Sequence, residues 1–230
     1  MSLQRFIDTK AKAAVVFLSA VAALGGLILS TLAATAIFRE WYGLAAGIAL
    51  MLAAIPFHCV GKKYPWGYAV SYLLNTVANG LSLSALYLTQ GTETDLYRML
   101  PAALPAAGIL LLVYGMLQIF HKTKPVTVAV ACVLNGLLTV AFAVLWILYG
   151  DLLFSFGFFC SLIALFYLGV FGVTVNHDER AVLRDISFGS FGSFIILTVV
   201  VAVVLSEGDI LDGLDVPFDG SHTKKHKPKH

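Results

Sequence analysis

The chain has 230 residues, of which 59% are hydrophobic and only 12% charged, and its formal net charge is +2. A soluble domain would carry about a quarter charged residues, so this composition, with a mean hydropathy of +0.88, excludes water as the main solvent. The small net charge also gives no basis for nucleic-acid binding.

Residues 1–12 form a basic leader (Arg5, Lys10, Lys12) ahead of a first apolar block, 13–38. The block ends near Ala34, Thr35 and Ala36, a pattern like a signal-peptidase site. It exceeds the roughly 7–15 residues of a secretory signal core, however, and reads as a retained helix. Six more blocks follow, at 42–60, 65–88, 101–120, 126–149, 152–175 and 186–205. Each approaches the roughly twenty residues that cross ~30 Å of hydrocarbon at 1.5 Å per residue. The expected fold is all-α: a polytopic integral membrane bundle of seven transmembrane helices over 13–205, followed by a polar, disordered tail over 206–230. Pro65, Pro101 and Pro125 are expected in first turns, where the missing N–H has no intrahelical partner anyway. Pro56 is expected to kink the end of the second helix.

Lysine and arginine resist translocation, so their distribution orients the spans. The leader and the loops 61–64, 121–124 and 176–185 hold nine of them, against two (Arg39 and Arg98) in the intervening loops. This alternation places the N-terminus in the cytoplasm and the C-terminus outside, in a plasma membrane. Trp41, Tyr42, Tyr87, Tyr97, Trp146 and Tyr149 then fall at the outer interface, and Tyr64, Trp66 and Tyr68 at the inner one, as an aromatic belt requires. In the tail, Lys224, Lys225, Lys227 and Lys229 lie far past the last span, behind five acidic residues. Cys59, Cys132 and Cys160 have no CxxC spacing and an odd total, which argues against a disulfide framework or thiolate metal cage.

An offset of 60 residues pairs Lys62 with Lys122, Pro65 with Pro125 and Asn75 with Asn135. A duplicated helical hairpin would place the two asparagines at matching depths, where repeat-built transporters hold their sites.

The third span carries the clearest polar pattern. Tyr68, Ser71, Asn75, Asn79 and Ser82 recur every three or four residues and draw one stripe down one helical face. That face is expected to point into the bundle and meet Asn135 and Thr139 of the fifth span and Ser161 or Tyr167 of the sixth. Two readings stand side by side: interhelical fastening by amides, or a hydrated site for a small neutral or amphipathic solute lined by Tyr68, Ser71, Asn75, Asn79, Ser82 and Asn135. No span holds Asp, Glu, Lys or Arg in its apolar interior, which argues against proton-coupled carriers and voltage sensors.

His58, His121 and His177 end the even-numbered spans, with Asp178 beside the last. Together they would supply the ligands of a hydrolytic zinc site, although such residues also favour helix C-termini for plain electrostatic reasons. The tandem 187–194, Ser-Phe-Gly-Ser-Phe-Gly-Ser-Phe, opens the seventh span and is read as packing or a hinge. The phenylalanines of the sixth span (154, 156, 158, 159, 166, 171) suit a lipid-facing surface or a groove wall. Hydroxyl nucleophiles lack an acid or base partner within the membrane, no motif calls for a cofactor, and an enzyme is not the expected class. The partners expected are the lipid bilayer and either a small solute or another membrane subunit.

Overall fold

The computed structural model describes residues 3–39, 41–89, 96–120, 125–174 and 179–206. These form seven helices and, among the described residues, no strand: α1 (Leu3–Ile37), α2 (Tyr42–Gly61), α3 (Trp66–Thr89), α4 (Leu96–Phe120), α5 (Pro125–Tyr149), α6 (Leu152–Thr174) and α7 (Glu179–Leu205). Six of the seven are long and apolar enough to cross a membrane, all but α3. The exception is the helix with the polar stripe, whose asparagines and serines lower its hydropathy without shortening it.

Helix α3 keeps its polar residues because its neighbours cover them. It packs on α2, α7 and α1, and Ser71, Asn75, Thr76, Asn79, Ser82 and Ser84 are all buried. Close approach depends on glycines at these contacts, on α3 as well as on its neighbours. A Cβ at Gly47 of α2 would overlap the Ser82 hydroxyl and lie 2.9 Å from the Ala78 carbonyl, and one at Gly80 would lie 2.7 Å from the Ser30 Cβ of α1. Contacts fall in ascending order between α3 and α1 (Tyr72 with Ser19, Gly80 with Ser30) and between α3 and α7 (Asn75 with Ser190, Asn79 with Ser193). These helices therefore run parallel. Against α2 the order reverses (Gly43 with Ser84, Gly61 with Tyr68), so that pair is antiparallel.

Helix α6 is the second interior element, packed on α5, α4, α7 and α1. Its tight hairpin with α5 turns on Gly150, whose φ of +65° suits glycine because an added Cβ would crowd the backbone. Gly150 N donates to the Trp146 carbonyl at 2.8 Å, and Asp151 Oδ1 accepts from Leu153 N at 2.9 Å, capping α6.

Several expectations need correction. Pro101 does not open a helix: α4 starts at Leu96, and both Pro101 and Pro105 lie inside it. Of the α6 phenylalanines expected on a lipid-facing surface or a groove wall, Phe156, Phe159 and Phe171 face the core, because α6 is surrounded and aromatic rings fill the space between helices, while Phe166 lines a cleft. Tyr87 and Tyr68 are buried instead of standing in a belt, while Trp41, Tyr42, Tyr64, Trp66 and Tyr149 are exposed. The two supposed duplicate hairpins also differ, since α2 and α3 pack along their length whereas α4 and α5 barely touch.

Candidate functional site

The α3 stripe faces the serine tandem of α7. Asn75 Nδ2 donates to Ser190 Oγ at 3.1 Å and Asn79 Nδ2 donates to Ser193 Oγ at 3.3 Å. Above them Thr198 Oγ1 donates to Ser82 Oγ at 3.4 Å, and below them His58 Nδ1 lies 2.9 Å from Ser187 Oγ. The seam thus crosses the bundle as a ladder whose rungs all involve a hydroxyl.

Serine chemistry leaves that ladder incomplete. A hydroxyl has one proton, and Ser190 and Ser193 give theirs to the carbonyls of Ser187 and Ser190, at 2.6 and 2.9 Å. They can accept from the asparagine amides but have nothing left to donate to the asparagine carbonyls. Accordingly Asn75 Oδ1 and Asn79 Oδ1 are buried with no hydrogen-bond partner among the described residues, as are Ser71 Oγ, Tyr167 Oη and Asn135 Oδ1. Each such group costs about 1–3 kcal/mol when left unsatisfied away from water.

Four of these five groups belong to one region. Ser71, Asn75 and Asn79 follow one another at four-residue spacing on α3. The antiparallel contact of α6 with α7 sets Phe166 against Gly192 and Val170 against Gly189, which brings Tyr167 to the level between the two asparagine rungs. Its hydroxyl neighbours that of Tyr72, which donates to the Ser19 carbonyl at 2.6 Å. The layer thus holds two unmatched carbonyls, Asn75 Oδ1 and Asn79 Oδ1, beside two hydroxyls, Ser71 and Tyr167, that can each give or take a hydrogen bond.

Asn135 is not part of it. Its Nδ2 donates to the Ser161 backbone carbonyl at 2.6 Å, and its backbone carbonyl accepts from Thr139 Oγ1 at 2.8 Å. Helix α5 packs chiefly on α6, so Asn135 fastens the α5–α6 hairpin and the expected meeting with Asn75 and Asn79 does not occur. Tyr68 sits at the end of the stripe, its ring packed on the Gly61 notch and edge-on to His58 at 5.1 Å.

For the zinc reading, His58 is occupied with Ser187, while His121 and His177 lie outside the described residues; among the described residues no group of three or more metal-ligating side chains comes together. The bond between His58 and Ser187 corrects the expectation that no hydroxyl has a basic partner. Ser187 is fully buried, so the pair acts as a clasp between α2 and α7. The α7 serines had been visible only as part of a packing repeat. Their recurrence every three residues, beside the four-residue spacing of α3, marks a second polar face to set against the first.

No family model, curated protein or solved structure matches the chain.

Proposed function

We propose that the chain threads a plasma membrane seven times, α3 included, with its N-terminus in the cytoplasm and its C-terminus outside, and that the seam of α3 and α7 binds a small neutral or amphipathic solute and passes it across. The parallel course of α1, α3 and α7, with α2 opposed, supports an alternating path, as does the sorting of basic residues. The observation that carries the functional reading is the pair of buried, donorless carbonyls, Asn75 Oδ1 and Asn79 Oδ1. A solute offering N–H or O–H groups supplies what these two carbonyls lack, the Ser71 and Tyr167 hydroxyls can give or take a further bond, and the absence of ionised groups along the stripe suits a neutral solute.

The test is flux of urea and glycerol into proteoliposomes, followed by light scattering. Wild-type protein is expected to exceed empty vesicles, and Asn75→Leu and Asn79→Leu to lose most of that excess while keeping their helical content and elution volume. Flux equal to that of empty vesicles refutes the transport reading. A second reading, a non-catalytic membrane subunit, draws support from the use of both amide N–H groups to fasten α7. It is favoured if these variants lose folding and flux together and a partner co-purifies in mild detergent.

A further inference from the structure

Away from the seam, α6 and α7 part to leave a cleft of about 240 Å³ lined by Phe166, Gly169, Val170, Asp185, Phe188 and Gly189 among others. Two glycines shape it. A Cβ at Gly169 would meet nothing within 4 Å, so that position is open space, while Gly189 admits Val170, whose Cγ2 would lie 3.0 Å from an added Cβ. Phe188, 71% exposed, stands at the rim, so the cleft opens outward from the bundle. Its walls are apolar except for Asp185, which sits where the apolar part of α7 gives way to its charged first turns. Asp185 Oδ1 accepts from Arg184 Nε at 3.3 Å and from Nη2 at 3.2 Å, and the arginine side chain is 50% exposed.

We infer that this cleft holds part of one acyl chain of an aminophospholipid, with the primary ammonium of an ethanolamine headgroup on Asp185 and its phosphate beside Arg184. The apolar walls suit hydrocarbon, and the adjacent carboxylate and guanidinium offer one negative and one positive group to a headgroup that carries one of each. The arginine is half-exposed and the Asp185 side chain 15% exposed at the cleft, and a carboxylate accepts about four hydrogen bonds, so the ammonium adds to the bonds Asp185 already receives. The volume is below the ~300–1,000 Å³ of sites that enclose a whole drug-sized ligand; the rest of the lipid stays in the bilayer. A trimethylammonium headgroup has no N–H to give, so the site distinguishes ethanolamine from choline lipids by charge-assisted hydrogen bonding. This inference requires the bundle to lie in a membrane but is independent of any solute at the seam.

Native mass spectrometry of the full chain in mild detergent, titrated with phosphatidylethanolamine, phosphatidylcholine and phosphatidylglycerol, tests it. The ethanolamine lipid is expected to bind about ten- to a hundredfold more tightly than the choline lipid, and the glycerol lipid no more tightly than the choline lipid. Asp185→Asn should reduce the ethanolamine lipid to the choline level, and Gly169→Leu, which fills the open space, should weaken both. Circular dichroism and elution volume check that the variants fold, and unchanged urea flux in them separates this site from the seam. Equal binding of ethanolamine and choline lipids by the wild type overturns the proposal, as does a preference that survives Asp185→Asn or full affinity in Gly169→Leu. Tightest binding of the glycerol lipid would also overturn it, assigning the cleft to an anion at Arg184.

Discussion

Asn75 gives an amide proton to the Ser190 hydroxyl at 3.1 Å, and Ser190 passes its own proton to the Ser187 carbonyl at 2.6 Å. The direction of the second bond fixes the role of the first. Ser190 can only accept from Asn75, and the asparagine carbonyl is left without a donor. Removing the serine and removing the asparagine therefore have different consequences.

Ser190→Ala deprives the buried Asn75 amide of its partner and is expected to destabilise the fold by about 1–3 kcal/mol. Asn75→Leu removes the donor and the orphaned carbonyl together and should cost less. A double-mutant cycle between the two positions, read from reversible unfolding in mixed micelles, should return a coupling of about 0.6–1.7 kcal/mol. A coupling of zero would mean the rung contributes nothing.

The glycines divide into those that hold a neighbour and those that do not. Gly47→Ala pushes a methyl into Ser82 and the Ala78 carbonyl, whereas Gly115→Ala meets nothing within 4 Å. The first is expected to lower the thermal midpoint and the second to raise it slightly, by up to about 0.5–1 kcal/mol of stability from the lower backbone entropy of alanine in a helix. Equal effects would contradict the contact of α2 with α3.

At the α5–α6 turn, the positive φ of Gly150 disfavours any residue with a Cβ by about 1–2 kcal/mol. Gly150→Ala should lose about that much stability, and Gly150→Asn less, since asparagine tolerates this region better. Unfolding of the three proteins side by side gives the ranking.

Topology is open to direct chemistry. In a background lacking Cys59, Cys132 and Cys160, Ser206→Cys should react with a membrane-impermeant maleimide in intact cells, and Lys62→Cys only after the cells are permeabilised. Labelling of both in intact cells, or of both only after permeabilisation, would remove α3 from the membrane and with it the proposed path.

The helices were largely legible because apolar blocks about as long as a bilayer is thick, ended by charged or turn-forming residues, leave few alternatives. Burial was less legible. Periodicity marked the α3 stripe as inward-facing, yet could not tell which helix it would meet. Asn135 shares a Lys–Pro–Asn spacing with Asn75 but turns to a backbone carbonyl on α6, because its own hairpin partner lies closer than α3. The phenylalanines of α6 misled because hydrocarbon and protein interior are equally apolar to a ring. Only the number of neighbours separates them, and that is a property of the whole bundle. Pro101 misled because a preceding turn, from Leu96, continues through it.

Helix α3 presents a group every four residues and α7 every three, or about 6.0 Å against 4.5 Å along their axes. Two rulers with unequal divisions coincide over only a short stretch, like a vernier. They agree at Asn75 with Ser190 and Asn79 with Ser193, and one division lower Ser71 finds no partner while Ser187 turns to His58. Sliding α7 by one tandem unit would restore two marks, with Ser187 and Ser190 opposite the asparagines. It would also bring Arg184 towards His58 and Ile195 towards Ser82. The alignment is thus chosen by the two ends of the scale, where the repetition stops, and not by the marks themselves.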